Sequence, residues 1–291
     1  MIRGNDFSPD IYEVEHVDKV MAQIERQFPV YWESFAREPI EELFAKAIES
    51  WQKERDKYSE YMSPEALEEF DYDPNAFKSY TRKGGCPIIH RCLMSPDEVM
   101  KPYRRAFNDT SGRQLLDTVR AISHFGLSYF AQFHGADHEV SQFFGDLGLD
   151  TLNTDEYQCT GVIGYGVQSS LLYGLYASQF AHRSQNAVWA LYFLSGRKDF
   201  GLSDGSEFLM IQPDKGICEQ NFFYPAELFG FYSLKVMLML KAACRDAGVI
   251  LRDHYRYVYL SCFCDHVAES HRDDINTYRR SSEYVESQPW F

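Results

Sequence analysis

From Tyr157 to Ala181, twenty-five consecutive residues carry no formal charge. A run that long either crosses a bilayer as a helix or is buried inside protein, so it restricts the fold more than any other feature of the chain. Polar side chains separate the two cases. Gln158, Thr160, Gln168, Ser169, Ser170, Ser178 and Gln179 interrupt the run, and no Lys/Arg cluster flanks it. The expectation is a helix buried in a water-soluble core, with Leu171, Leu172, Leu175 and Phe180 in its packing.

The rest of the chain supplies helices to pack around it. Ser8-Pro9 offers an N-cap and a first-turn proline, and Ile11, Val14, Val17, Met21, Ile24 and Phe28 then recur three or four apart. Pro29 and Pro39 are read as breaks, after which Ile40, Leu43, Phe44, Ala47, Ile48 and Trp51 form a second stripe. Ser63-Pro64-Glu65 opens a short helix ending near Phe70. Residues 71–94, with turn signals at Asp73-Pro74 and Gly84-Gly85, read as irregular. Further helices follow from Ser95-Pro96-Asp97-Glu98, from Leu115 to Leu127, over "SQNAVWALYFLSG", and from Pro225 to a stop at Gly248. Strand-like runs are few: "EFLMI" at 207–211 and "YRYVYLSCF" at 255–263. The fold class is therefore mainly α, a multi-helix globular protein with a small β component in the C-terminal half.

Charge divides the chain unevenly. Its net charge is −14, and residues 1–80 hold 19 acidic side chains against 9 basic ones. This points to an acidic N-terminal helical region, 1–80, and a main helical domain, 81–291, with one continuous domain as the alternative. Such a balance disfavours duplex nucleic acid, whose phosphates need a positive footprint, and favours basic protein partners. The opening "MIRGNDFSPDIYEVEH" has no apolar stretch of a secretory signal, and seven scattered cysteines suit reduced thiols. A cytoplasmic address follows, with no membrane association and no cofactor implied.

Each motif with possible chemistry has a plainer counterpart. "LSCFCDHVAESHRDD", 260–274, packs Cys262, Cys264, His266 and His271 together with four acids. On a strand, Cys262 and Cys264 share a face, but the spacing is no standard zinc knuckle, and buried thiols explain them better. No metal is expected there. "FHGADHEV" places His134 and His138 four apart beside Glu139; the zincin order fails, yet histidines and acids so close could serve acid–base chemistry, with His124 and His182 as helpers if all converge. Glu13 and His16 have half of a di-iron motif without its second half, and read as surface. "GVIGYGVQSS" has Gly161, Gly164 and Gly166 in an order that is not a dinucleotide fingerprint. No P-loop lysine and no G-x-S-x-G elbow occur.

The acidic region closes on Glu65, Glu68, Glu69, Phe70, Asp71, Tyr72 and Asp73. On a helix Glu65 and Glu69 repel each other by roughly a few tenths of a kcal/mol, so local stability does not favour them. Carboxylates beside aromatic rings combine long-range steering with a desolvated anchor. The sequence thus suggests an acidic interaction protein (an inhibitor, an immunity-type factor or a complex subunit) that binds a basic partner through its N-terminal region. The alternative is an enzyme centred on His134, His138 and Glu139.

Overall fold

In a computed structural model, the described residues are 9–133, 138–198, 200, 207–212, 217–220 and 224–278. They are mainly helical. The longer helices are α1 (Val14–Phe35), α2 (Ile40–Tyr61), α3 (Pro64–Glu69), α4 (Pro74–Tyr80), α5 (Pro87–Met94), α6 (Lys101–Asp109), α7 (Gly112–Gln132), α8 (Tyr165–Leu175), α9 (Gln185–Leu194), α10 (Ala226–Asp246) and α11 (Arg256–Ser270). At the centre is α9, whose residues are buried without a break from Ala187 to Leu194. A helix apolar all round must be enclosed by others. Here α1 and α11 pack against α9, α10 packs on α1 and α11, and α2 lies against α8 and α11.

The uncharged run is a shorter helix than its composition suggests. Only Tyr165–Leu175 is α-helical, preceded by a tight turn in which Cys159 bridges to Ile163. Gly161 makes that turn possible: its φ of 74° is left-handed, and an added Cβ would meet that of Ala106. Leu171, Leu172 and Phe180 are buried as expected, and Leu175 is partly so. No described helix is long and apolar enough to cross a membrane.

Three expectations are corrected. Pro29 does not break α1 but sits inside it, on its exposed side, where water can serve the carbonyl that the proline leaves without an N–H. The stretch 71–94 is not irregular. Its turn signals are helix starts: Asp73 Oδ1 accepts from the Ala76 N–H at 3.1 Å to begin α4, and Cys86-Pro87 begins α5 after a π-turn over Thr81–Gly85. Finally, 255–263 is no strand but the start of α11. Tyr255, Tyr259, Phe263 and Val267 are spaced by four, a period that fits a helix face as well as strand alternation. Tertiary packing decides: Phe263 lies 5.4 Å from both Phe28 and Phe35, and Tyr259 lies 4.7 Å from Phe44.

With that strand gone, the expected small β component is not supported as part of the architecture. What remains among the described residues is one antiparallel ladder, β1 (Leu209–Gln212) on β2 (Ile217–Gln220), with Leu209 opposite Gln220.

Candidate functional site

The acidic corner is built by two helix caps. Ser63 Oγ accepts from the Ala66 N–H at 3.1 Å with Pro64 in the first turn, which starts α3. Asp73 does the same for α4. Between them the chain turns through Phe70, Asp71 and Tyr72. Phe70 folds inward, stacking on Tyr80 at 5.8 Å and meeting Phe77 edge-on at 5.4 Å. Asp71 is held by α7: its carboxylate accepts from Arg120 at 2.6 Å and Arg113 at 3.0 Å, and its carbonyl accepts from Arg113 at 2.7 Å. Those two arginines, Arg120 first, hold the Asp71 carboxyl below the usual carboxylate range.

Tyr72 is thus fixed on both sides, by the Asp71 clamp and the Asp73 cap, while its own side chain is 99% exposed. Glu65, Glu68 and Glu69 stand exposed on the preceding helix. The seven residues read from the sequence therefore have three different roles. Phe70 is partly buried and packs against the core; Asp71 and Asp73 hold the backbone; Glu65, Glu68, Glu69 and Tyr72 face solvent.

Arg120 links this corner to an open groove of about 440 Å³ between α7 and the turn before α8. Asp117, Arg120, His124 and Phe125 form one wall, and Glu156 and Tyr157 the other. The Phe125 and Tyr157 rings meet edge to face at 5.6 Å. Burial, and then the Glu156 charge, push the Tyr157 phenol up. Asp117 lies 3.4 Å from Arg120 and 3.7 Å from Arg113. Sequence reasoning missed this groove because its walls are some thirty residues apart. A local hint was the i, i+3, i+4, i+7 spacing of Asp117, Arg120, Ala121 and His124.

The alternative site does not assemble among the described residues. His134 lies outside them. His138 is buried, and its Nε2 lies 2.9 Å from the Tyr129 hydroxyl, which itself donates to the Leu147 carbonyl. Glu139 instead accepts from Lys241 at 2.6 Å and from the buried Arg256 at 2.8 Å. His124 is on the open groove. His182 stacks on Tyr173 at 4.7 Å and pairs with Ser170 at 3.0 Å. Ser170 already donates to the Gly166 carbonyl, so His182 Nε2–H is the donor and Ser170 the acceptor, the reverse of what an activated nucleophile needs.

The thiol–histidine stretch is dispersed as well. Two residues apart on a helix, Cys262 and Cys264 point to different sides; Cys264 is buried, and burial pushes the Cys262 thiol up to about 12. His266 pairs with Ser34, and His271 with Tyr31 and Asp274. Among the described residues, no three His, Cys, Asp or Glu side chains are grouped to hold a metal ion.

His16 requires the opposite correction. It is not on the surface: at 8% exposure its Nε2 lies 2.5 Å from Glu207, which is 0% exposed and 191 positions away. The helix turns His16 inward beside Val17 and Val20, while Val14 of the expected stripe is 57% exposed. The pair ties α1 to the segment leading into β1.

No family model, curated protein or solved structure matches the chain.

Proposed function

We propose that this chain is an interaction protein whose acidic α3–α4 corner docks a basic protein partner, acting as an inhibitor, immunity factor or complex subunit. One observation carries the reading: a wholly exposed tyrosine on a backbone pinned at both ends, beside three exposed carboxylates. With its backbone already fixed, Tyr72 would lose only side-chain rotamer freedom on binding and no loop freedom, which suits an interface anchor. Neighbouring carboxylates speed encounter with a cationic surface.

The test separates the free acids from the structural ones. Glu65→Lys, Glu68→Lys and Glu69→Lys are combined, Asp71 being left intact because it holds Arg113 and Arg120. A protein captured on the wild-type chain is purified, and its affinity for wild type, the triple variant and Tyr72→Ala is measured across salt. Affinity should fall about tenfold or more in each variant and weaken with salt in the wild type. An affinity indifferent to both variants and to salt would refute the reading.

A further inference from the structure

The groove beside the corner has its own chemistry. Asp71, Asp117, Arg113 and Arg120 form a closed network of two acids and two arginines, linked by contacts of 2.6 to 3.7 Å, which is neutral as a whole. Glu156 is outside it, exposed, and has no hydrogen-bond or ion-pair partner among the described residues. Its charge is felt by the Tyr157 phenol at the groove wall. The groove therefore offers one uncompensated carboxylate next to the Phe125–Tyr157 ring pair, in a volume that admits a long side chain with its water.

We infer that this groove receives an arginine side chain of the basic partner, the guanidinium lying against Phe125 and Tyr157 and pairing with Glu156. The inference rests on the docking reading above and extends it from the corner to the groove. A planar guanidinium suits the site better than an ammonium. It can place a face on a ring and an edge on a carboxylate at once, and it is more weakly hydrated. Docking at the corner brings a partner's surface directly to this groove, because Arg120 belongs to both: it bonds Asp71 and the Leu67 carbonyl of the corner and lines the groove wall.

The probes are labelled hexa-arginine and hexa-lysine peptides, titrated by fluorescence anisotropy at pH 8 in low salt. Wild type should bind hexa-arginine about threefold to fivefold more tightly than hexa-lysine, the size of an exposed ring–cation contact. Glu156→Lys, a change at an exposed position, should weaken hexa-arginine by about tenfold. Tyr157→Leu should erase the preference between the peptides. Equal affinity for the two peptides, or a Glu156→Lys variant that binds as wild type, overturns the inference. If the corner triple variant weakens the peptides while Glu156→Lys does not, the groove assignment fails and the docking reading stands. If Glu156→Lys weakens them while the corner variant does not, the groove alone holds the cation: its arginine assignment stands, and its extension from the corner fails with the corner reading.

Discussion

The acidic corner and the His16–Glu207 staple are both polar clusters, and they treat charge in opposite ways. At the staple, imidazole and carboxylate are sealed from water, and the neighbourhood is crowded with buried polar groups. Burial, joined by the Glu207 charge, pushes the Tyr224 and Tyr232 phenols up. Arg183 nearby donates to the Tyr224 carbonyl at 2.6 Å, covers Tyr165 and Phe229, and is lowered by burial to about 10. At the corner, the charges that matter to the fold are consumed in the Asp71 clamp, and the others stay in water. A desolvated charge must be matched by its own protein, whereas a solvated one is available to another molecule. The first cluster therefore serves the fold, whereas the second leaves its carboxylates in solvent, which is why it is the one proposed for recognition.

The largest expected effect breaks the staple. His16→Ala leaves the Glu207 carboxylate buried without its imidazole and should cost about 3 kcal/mol in urea unfolding. Replacing both by leucine should recover much of that loss, since a buried pair often does little better than apolar side chains. A His16→Ala variant as stable as wild type would place the pair with the corner, as an interaction idle in folding.

Next in size is a pH effect on the buried side. Burial, with a smaller contribution from Arg91, lowers His182 from 6.5 to about 4, so the folded protein holds it neutral while the unfolded chain takes up a proton. Stability from this group is complete above pH 6.5 and is lost as pH falls toward 4, by on the order of 2 kcal/mol. Unfolding free energies at pH 7.5 and 5 should converge for wild type and His182→Gln at the lower pH. Parallel curves would show that His182 is not the group responsible.

Smaller still is the clamp. Asp71 has its pKa lowered by Arg120 and Arg113, so its contribution is present above pH 3.8 and is lost as pH falls through the depressed folded value. Asp71→Asn at neutral pH should reduce stability less than either buried change, yet weaken partner binding by loosening Tyr72. Last comes the triple lysine swap at Glu65, Glu68 and Glu69, which should leave unfolding free energy within about 0.5 kcal/mol of wild type while binding falls. Substantial destabilisation there would mean that the exposed acids serve the fold.

What could be read in the sequence was whatever neighbouring residues settle among themselves. Ser63-Pro64 and Asp73-Pro74 carry their helix starts in a few atoms, although by itself the second pair fits a turn equally well. The α2 stripe from Ile40 to Trp51 and the stop at Gly248 follow from periodicity and left-handed backbone. The acid excess before residue 80 was equally plain. Only tertiary structure could decide the rest, because it depends on partners that no local window contains. Tyr255, Tyr259 and Phe263 fit a strand or a helix until Phe28, Phe35 and Phe44 supply a surface that takes one face. His16 looked like surface because Glu207 is 191 residues away, and Asp71 looked free because Arg113 and Arg120 arrive from another helix. Local chemistry set where helices begin and where charge accumulates. Long-range packing set which polar groups are desolvated and paired, and so which remain exposed to solvent.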